Sequence, residues 1–557
     1  MAEGERRWMR NMKKCEVIVI GAGPAGLSAA IEAAGKGMQV TVFDENARPG
    51  GQLFKQIHKF FGSKEHQAKE RGFRIGEKLL AEALSLGVQV ILDTKVVGFF
   101  AHKQVSVVHN HQMEHYVANK IVIATGASEN MLPFPGWTLP GVIGAGAAQT
   151  MMNLHGVRPG NKVLMIGSGN VGVVVAYQLL QAGCEVVAVI DAAPTIGGYG
   201  VHAAKIARMG VPFYLSHTIQ HAHGQEQVEG ATIVAVDSAW QTIPGSEKFF
   251  SIDTICIAVG LSPMSQLAQL AGCQMEDNPA KGGIVPVCDE YGKTSVEGIF
   301  AAGDVSGIEE ASSAMIKGRI AGALIACTSG YSTDDEFVKA YSDYKNSLSQ
   351  LREGMFGKGK KGKEKPLYTD EGQKLSRNLL THGFVMENDL KEYPGIPHEV
   401  KKKRGITPVI ECTQNIPCNP CQDACFKGCI QVGEKIANLP ALAQQATCNG
   451  CGRCVISCPG QAIFLVDQSA DDGFAAVTIP YEIFPLPQTG DRGTAYDRAG
   501  QALGAASVLR AQLTAANDHT ALLTIRVPGD WAMKARYFKS ENMLVKGGTN
   551  DEENDFA

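Results

Sequence analysis

The sequence lacks a long apolar run, a strong net charge and, through most of its length, paired cysteines. No stretch of about 18 residues is apolar enough to predict a transmembrane segment. A net charge of −4 over 557 residues gives no reason to expect binding to nucleic acid or acidic lipid. What remains is the composition of an ordinary globular protein, and the length predicts three or four domains.

The fifteen cysteines are unevenly distributed, because nine of them fall between Cys412 and Cys458. Clustering in one short window indicates a metal site, whereas secreted disulfide-rich domains spread their cysteines. The basic N-terminus precedes an apolar run, but that run enters a glycine-rich turn and not a small-residue cleavage site. We therefore predict a protein of the reducing cytoplasm.

A strand–turn–helix–strand pattern occurs twice in the first half of the chain. Residues 15–44 contain CEVIVI, GAGPAG, LSAAIEAAGKG and MQVTVFD, and residues 162–191 contain KVLMI, GSGNVG, VVVAYQLLQAG and CEVVAVID. Each copy predicts a βαβ unit, and together they predict two Rossmann-like α/β domains, one inserted in the other. The later stretch GIFAAGDVSG (298–307) would return the chain to the first domain.

In the first copy, Gly21, Gly23 and Gly26 form a GxGxxG motif that follows a strand and opens a helix. The first glycine permits the tight turn, the second lets the backbone approach a pyrophosphate, and the third allows close strand–helix packing. The helix N-terminus then stabilises the phosphate charge. Asp44 ends the second strand, where a carboxylate can bind ribose hydroxyls. This copy predicts a dinucleotide site.

Three further motifs, RPGGQL (48–53), ATG (124–126) and GD (303–304), resemble the thioredoxin-reductase-like flavoproteins, which combine two dinucleotide-binding domains. The resemblance implies FAD at the first site. It also implies a helix over GIEEASSAMIKGRIAG (307–322) whose N-terminus faces the flavin. The residues expected to bind this cofactor are Gly21, Gly23, Pro24, Ala25, Gly26, Asp44, Glu45, Gly51, Gln52, Ala124, Thr125, Gly126, Gly303 and Asp304.

The second copy carries the same fingerprint, which predicts a second nucleotide site. The residue 23 positions after Gly167 is Ile190, and the acid comes one residue later. No arginine pair suited to a 2′-phosphate follows, which favours NAD(H) over NADP(H). An adenine nucleotide that never accepts hydride would satisfy the same residues. The residues expected at this site are Gly167, Gly169, Asn170, Gly172, Asp191 and Gly260.

A disulfide reductase of this fold needs a redox-active CxxC pair near its flavin. Between Cys15 and Cys412 the cysteines stand singly, at positions 184, 256, 273, 288 and 327. We interpret these five as small buried apolar residues. The flavin is therefore not expected to reduce a protein dithiol.

The run Cys448-x2-Cys451-x2-Cys454-x3-Cys458-Pro459 is the one with which bacterial ferredoxins bind a 4Fe–4S cluster. Its tight spacing lets three thiolates surround one face of a cubane. A zinc site would favour two CxxC pairs set well apart. The run therefore predicts an iron–sulfur cluster.

Upstream, CNPCQDACFKGCI (418–430) resembles the other half of a two-cluster ferredoxin, although Phe426 replaces the usual proline. In that family the fourth cysteine of each run ligates the other cluster. The resemblance implies two 4Fe–4S clusters, and Cys429 is then spare. One cubane plus a different second site is the alternative. The implied ligands are Cys412, Cys418, Cys421 and Cys458 for one cluster, and Cys425, Cys448, Cys451 and Cys454 for the other.

Three longer stretches resemble a narrower family: GVIGAGAAQTMMNLHGVRPGNKVLMIGSGNVG (141–172), GGYGVHAAKIARMGVP (197–212) and AAGDVSGIEEASSAMIKGRIAG (301–322). This is the FAD/NAD-binding α subunit of heteromeric amine and amino-acid dehydrogenases. The group includes dye-linked L-proline dehydrogenase, sarcosine oxidase, opine oxidase and hydrogen cyanide synthase. The segment from ECTQNIPCNPC to PYEIFPLP (411–487) is similar to the form with an added ferredoxin module.

In that family an amine-oxidase-like flavoprotein subunit takes hydride from a C–N bond, and the subunit resembled here relays the electrons. The resemblance implies a hetero-oligomer in which this chain passes single electrons through its clusters to an external acceptor. It also allows an FMN at a subunit interface. No general acid or base is identified in the chain. The alternatives are a self-sufficient NADH-dependent reductase and a scaffold whose nucleotides are structural.

The motifs divide the chain into parts, of which the fourth is ferredoxin-like and the last is a small β-rich module with a disordered tail. The stretch EGMFGKGKKGKEK (353–365) is predicted to be a mobile linker or exposed loop. The predicted parts are 15–127 with 264–330 (FAD), 128–263 (second nucleotide), 331–411 (linker and helices), 412–465 (clusters) and 466–557.

Overall fold

The structure is a computed structural model. It describes residues 12–353, 377–397, 405–443, 446–470 and 472–542. They form two compact units. One combines 12–60, 65–130 and 260–353, and the other combines 61–64, 131–259 and the described residues from 377 onward. The linker stretch after Glu353 and the predicted disordered tail lie outside the described residues.

The strands and helices are numbered in chain order. None of the described helices is both long enough and apolar enough to cross a bilayer. The strands are β1 Lys13–Ile20, β2 Val40–Phe43, β3 Gln89–Ile91, β4 Thr94–Phe100, β5 Gln104–His109, β6 Gln112–Ile123, β7 Ala127–Glu129, β8 Val142–Gly144, β9 Lys162–Ile166, β10 Glu185–Asp191, β11 Phe213–Leu215, β12 His217–His223, β13 Gly230–Ala235, β14 Lys248–Phe250, β15 Thr254–Ile257, β16 Leu261–Pro263, β17 Met275–Asn278, β18 Gly283–Pro286, β19 Ile299–Ala301, β20 Thr407–Ile410, β21 Ile430–Gln431, β22 Ala441–Leu442, β23 Ile463–Asp467, β24 Phe474–Tyr481, β25 Arg492–Tyr496, β26 Ala502–Gln512, β27 Ala521–Pro528 and β28 Tyr537–Ser540. The helices are α1 Pro24–Gly35, α2 Gly72–Ser85, α3 Ala145–His155, α4 Asn170–Gln181, α5 Gly200–Ala207, α6 Gln266–Leu270, α7 Ala311–Thr328, α8 Asp334–Leu351, α9 Glu387–Leu390, α10 Pro420–Ala424 and α11 Arg453–Ser457.

The main sheet of the first unit has the order β3-β2-β1-β6-β5-β4, with β19 also paired to β6. Strand β1 is parallel to both β2 and β6, and its last four residues are buried, as a central parallel strand requires. Helices α1 and α7 share one core with this sheet. The two helices approach so closely that only glycine fits at two positions of α7. A Cβ on Gly318 would lie 2.1 Å from the Ala25 carbonyl oxygen, and one on Gly322 would lie 2.5 Å from the Ala29 carbonyl oxygen.

A parallel sheet in the second unit has the order β11-β10-β9-β15-β8. Its segment β9–α4–β10 repeats the segment β1–α1–β2 of the first unit, so the two predicted βαβ units and the α/β fold class are confirmed. One irregularity separates the copies, since a β-bulge lies between Val186 and Ala188 on β10. A bulge adds one residue to a strand, so the residues after it keep their places in space while their numbers shift by one.

The other large sheet of the second unit is antiparallel, with the order β20-β23-β24-β27-β26-β25-β28. All nine clustered cysteines lie between its strands β20 and β23, which pair from Thr407↔Val466 to Ile410↔Ile463. Regions 412–465 and 466–557 were predicted as separate modules, but they share this sheet. The reason is that β23 closes the cysteine region and also pairs with β24 of the C-terminal region.

Candidate functional site

The first fingerprint forms the turn between β1 and α1. Gly21 has φ +103°, a value that L side chains rarely adopt. A Cβ on Gly26 would lie 1.8 Å from the Gly21 carbonyl oxygen, so the helix can pack against the turn only if this residue is glycine. A Cβ on Gly23 would have only the Cα of Gly51 within 4 Å, at 3.9 Å. The middle glycine therefore leaves the space that a pyrophosphate-binding turn needs.

Asp44 holds this turn through its carboxylate. Its Oδ2 accepts the backbone N–H of Ala22 at 2.6 Å, and its Oδ1 accepts that of Asn46 at 2.9 Å. The residue is buried. The sequence motif predicted that Asp44 binds ribose hydroxyls. Its Oδ1 also accepts from the Asn46 side-chain amide at 2.8 Å, so Oδ2 is the oxygen with a lone pair left for that purpose. The structure adds a second role, because the same carboxylate fixes the backbone of the glycine turn.

Residues from the three other motifs lie against the same turn. A Cβ on Gly21 would be 2.3 Å from the carbonyl oxygen of Ala124, and one on Gly51 would be 2.9 Å from the Cα of the middle glycine. A Cβ on Gly303 would be 2.7 Å from the Cβ of Ala25, at the start of α1. The fold thus brings the four predicted flavin motifs together at the carboxyl ends of β1, β6 and β19.

Other residues predicted at this site bond within the protein. Glu45 is exposed and lies 3.4 Å from the Lys95 Nζ. The Thr125 hydroxyl donates to the carbonyl of Met264 at 2.6 Å. The Asp304 carboxylate accepts the backbone N–H of Glu309 at 3.1 Å. These bonds stabilise loops, and contacts of these side chains with a cofactor stay predictions.

The second fingerprint repeats the glycine geometry. Gly167 has φ +104°, and a Cβ on Gly172 would lie 2.0 Å from its carbonyl oxygen. A Cβ on Gly169 would meet no atom within 4 Å. The helix N-terminus and the open space above the middle glycine are those of a nucleotide site.

Asp191 occupies in the second copy the place that Asp44 has in the first. Its Oδ2 accepts the backbone N–H of Ser168 at 2.7 Å and the hydroxyl of the same residue at 2.6 Å. It comes one residue later in sequence because of the bulge between Val186 and Ala188. The apparent offset of the acid therefore has no bearing on whether this site binds a nucleotide.

Two residues at the second turn were not predicted from the sequence. A Cβ on Gly167 would be 2.2 Å from the Ala258 carbonyl oxygen, and the N–H of Gly198 donates to the carbonyl of Ser168 at 2.8 Å. A repeat could have revealed both, because IAVG (257–260) matches IATG (123–126) and the pair GG (197–198) matches GG (50–51).

Two residues predicted at the second site have other contacts. Gly260 lies in the first unit, where its carbonyl accepts the backbone N–H of Asn130 at 3.0 Å. The Asn170 side chain accepts the backbone N–H of Tyr199 at 2.8 Å, so it fixes the segment next to the paired glycines. A direct nucleotide contact for either residue stays a prediction.

The clustered cysteines line two cavities of the second unit. The inner cavity is lined by Cys412, Cys418, Cys421 and Cys458 together with apolar residues that include Phe61 and Val201. The outer cavity is lined by Cys425, Cys429, Cys448, Cys451 and Cys454. This grouping is the one that the two-cluster resemblance implies, except that Cys429 joins the outer cavity.

The described part of the chain contains no group of three His, Cys, Asp or Glu side chains placed to hold a single metal ion. A lone zinc ion needs four ligands within about 2.3 Å of one point. A cubane has four irons, each bound by its own cysteine, so its ligands surround a larger body. Four or five cysteines spaced around a cavity therefore fit a cluster better than an ion.

Hydrogen bonds and burial both act on these thiols. Burial raises the pKa of Cys421 and of Cys429 to about 12, so these side chains are uncharged at neutral pH unless a cation replaces the proton. Backbone N–H groups point at three sulfurs, a pattern that stabilises cluster ligands. The N–H groups of Cys429, Gly450 and Ala462 donate to the Sγ atoms of Cys425, Cys448 and Cys458 at 3.2, 3.4 and 3.5 Å.

The fold and the paired fingerprints define a protein with two dinucleotide-binding domains. Residues 15–318 match the family model described as pyridine nucleotide-disulphide oxidoreductase. The chain belongs to this family and is an FAD-dependent oxidoreductase. The match ends before the cysteine region.

Individual relatives give a narrower comparison. An opine oxidase subunit from Agrobacterium tumefaciens (strain Ach5) is 32% identical over 330 residues, which are 55% of this chain and 64% of that protein. Hydrogen cyanide synthase subunit HcnB from Pseudomonas aeruginosa is 28% identical over 323 residues, 55% of this chain and 69% of that protein. This chain thus spans a little less than two thirds of the opine oxidase subunit. Both relatives belong to the group that the sequence motifs resemble, and that resemblance is confirmed.

Among solved structures, L-proline dehydrogenase from P. horikoshii aligns with a TM-score of 0.47 and 22% identity. The alignment covers 60% of this chain and 59% of that one.

Proposed function

We propose that this chain is the FAD- and iron–sulfur-containing electron-transfer subunit of a heteromeric dehydrogenase that oxidises an amine or amino acid, such as proline, sarcosine or an opine. An amine-oxidase-like flavoprotein subunit takes hydride from the substrate, and this chain relays the electrons to an external acceptor. The similarity to an opine oxidase subunit supports the substrate class. No side chain of this chain is assigned as an acid or base toward the substrate.

The observation that carries the proposal is the pair of cysteine-lined cavities within one unit. Oxidation of a C–N bond releases two electrons together, whereas an iron–sulfur cluster accepts one at a time. A flavin accepts two electrons and releases them singly, which is the chemistry that FAD supplies when bound. A chain that adds two cluster sites to a flavin site therefore fits electron relay better than disulfide reduction.

The chain's own residues bind and orient these groups. The turn at Gly21 and Gly23 accepts the pyrophosphate of FAD, and Asp44 holds the turn through Ala22. The inner cavity is lined by cysteines from both runs, so a cluster bound there would join the two loops.

The outer cavity is the proposed exit for electrons. Cys451 on its wall is exposed, and Phe426 beside it is 58% exposed. The cysteines of the inner cavity are buried or only partly exposed. An external acceptor can therefore approach the outer cavity more closely, and electron transfer is favoured there.

A second candidate is a self-sufficient NADH-dependent oxidoreductase. The feature that favours it is the second turn, where Gly169 leaves open space and Asp191 holds Ser168 as Asp44 holds Ala22. Hydride would then enter from a nicotinamide at this turn, and electrons would again leave through the clusters.

One anaerobic experiment separates the two candidates. The full chain is purified, its flavin, iron and sulfide are measured, and NADH is added while the flavin absorbance is followed. We expect bound FAD, about eight irons per chain and no fast bleaching by NADH, with reduction only after a substrate-oxidising partner protein and its amine are added. Rapid bleaching by NADH would establish the second candidate. Absence of iron and sulfide in a flavin-loaded chain would contradict both.

A further inference from the structure

One face of helix α5 carries two buried cations toward the inner cavity. Val201, Lys205 and Arg208 follow at intervals of four and three residues, so they lie on one side of the helix and its last turn. Val201 lines the inner cavity beside Cys458. Lys205 and Arg208 are only 3% and 6% exposed.

Arg208 binds the loop that carries Cys458. Its Nη1 donates to the Gln461 carbonyl at 3.0 Å, and its Nη2 donates to the Gln461 Oε1 at 3.2 Å. The Tyr177 hydroxyl donates to the same Oε1 at 3.1 Å. The Gln461 N–H in turn donates to the Cys458 carbonyl at 3.1 Å. The guanidinium is thus connected to a cluster cysteine through one buried residue.

A second contact ties the same helix to the other cysteine run. The backbone N–H of Gly200, at the start of α5, donates to the Gln414 Oε1 at 2.6 Å. Gln414 is two residues from Cys412 and is itself buried. Both loops that close the inner cavity are therefore fixed to α5, and the distance from its cations to the cavity is fixed with them.

A negative group in the inner cavity would lower the cost of burying the Arg208 cation, which also lies 5.6 Å from the centroid of the Phe464 ring. The hydrogen bonds of Arg208 to Gln461 go to uncharged oxygens, although a buried cation is stable only near negative charge. Glu411, next to Cys412, already accepts from Arg498 at 2.8 Å and from Arg536 at 2.7 Å. Lys205 Nζ lies 4.9 Å from the ring centroid of Tyr177, whose hydroxyl donates to the same Gln461 oxygen as Arg208.

We propose that Lys205 and Arg208 are positioning residues that set the reduction potential of the cluster in the inner cavity. A cluster with four thiolates is negative and becomes more negative on reduction, so nearby buried cations stabilise the reduced form and raise the potential. This inference rests on the proposed function, because it requires a cluster at that site. It gives the second dinucleotide domain a part in electron transfer that does not depend on a bound nicotinamide.

The test is a redox titration of the full chain, anaerobic and with intact clusters, followed by the EPR signals of the reduced clusters. The inner-cavity signal is identified by its loss in Cys418→Ser. We expect Arg208→Gln to lower the potential of that signal by at least the equivalent of a tenfold change in the reduced-to-oxidised ratio, which is 59 mV for one electron. Arg208→Lys keeps the charge and should keep most of the potential.

Two further variants make the result decisive. Lys205→Gln should shift the inner-cavity signal in the same direction, and it serves if Arg208→Gln does not fold. Arg453→Gln removes a cation beside the outer cavity, over the ring of Phe426, and should leave the inner-cavity signal unchanged. Unchanged potentials in Arg208→Gln and Lys205→Gln, or an equal shift in Arg208→Lys, would overturn the inference. A wild-type chain without iron and sulfide would instead overturn the proposed function.

Discussion

Asp191 accepts two hydrogen bonds from Ser168, one from the backbone N–H at 2.7 Å and one from the hydroxyl at 2.6 Å. The first bond has a counterpart in the other dinucleotide domain, where Asp44 accepts the N–H of Ala22 at 2.6 Å. In both domains the acid at the end of the second strand fixes the residue after the first glycine. The chain therefore has two turns of one design, each holding its nucleotide site in shape.

Asp191→Ala should weaken nucleotide binding at the second turn and leave FAD bound. The loss leaves the Ser168 N–H without its acceptor, so the turn must be re-formed when nucleotide binds. A cost of about 1–3 kcal/mol for that step corresponds to roughly a tenfold to hundredfold loss in affinity. Isothermal titration with NAD⁺ or ADP and the flavin-to-protein ratio measure the two sites separately. Asp44→Ala is the matched control and should lower flavin retention first. Loss of FAD from Asp191→Ala with unchanged nucleotide affinity would contradict this assignment.

Alanine substitutions at two glycines of the second turn should affect different properties, one the stability and the other the nucleotide affinity. A Cβ at Gly172 would lie 2.0 Å from the Gly167 carbonyl oxygen, so Gly172→Ala should lower the free energy of unfolding by about 1–3 kcal/mol. A Cβ at Gly169 would meet nothing within 4 Å, and the backbone there has φ −64°, which alanine adopts readily. Gly169→Ala should therefore keep the stability and lose nucleotide affinity, because the methyl group fills the space of the pyrophosphate.

Thermal unfolding and nucleotide titration of both variants measure these effects. If Gly169→Ala binds nucleotide as well as the wild type, the open space at the middle glycine is not a phosphate site.

The fourth ligand of the outer cavity should be Cys425, with Cys429 supporting it. The N–H of Cys429 donates to the Cys425 sulfur at 3.2 Å, which is how a backbone group supports a ligating thiolate. Cys425→Ser should lose about four irons per chain, and Cys429→Ser should keep about eight. Iron and sulfide analysis with EPR measures both variants. The reverse result would make Cys429 the ligand.

Glu309 should contribute stability that disappears in acid. Its carboxylate lies 2.8 Å from Lys317 Nζ and 2.6 Å from Arg352 Nη2, so it joins the start of α7 to the end of α8. Burial opposes the charged form, but these two cations outweigh it and hold the pKa of Glu309 below its ordinary value. The stabilisation is therefore complete above the ordinary carboxyl pKa and is lost as the pH falls through the lowered one.

The measurement is the free energy of unfolding as a function of pH for the wild type and Glu309→Gln. At neutral pH the substitution should cost about 1–3 kcal/mol, because two partly buried cations lose their acceptor. The difference between the two proteins should shrink toward low pH. A difference that is constant with pH would mean that packing, and not charge, accounts for the effect.

Local patterns were sufficient for the elements that bind nucleotide. The strands and helices around both fingerprints formed as predicted, because the turn at Gly21 or Gly167 requires glycine within a few residues of the strand it ends. The helix predicted over 307–322 also formed, although it begins four residues later and spans Ala311–Thr328.

The position of the second acid was different. Asp191 comes one residue later after its first glycine than Asp44 does. Only the pairing of β9 with β10 showed the bulge that accounts for this offset.

The sequence by itself determined the two dinucleotide folds, the order of the flavin motifs and the presence of two cysteine runs, because each depends on neighbours along the chain. The tertiary structure alone decided that the strands flanking the cysteine runs share a sheet with the C-terminal strands and that Ala258 lies against Gly167. It alone brought Arg208 to Gln461, across 253 residues. Such contacts depend on which buried surfaces meet when distant segments pack, and no short pattern in the sequence records that choice.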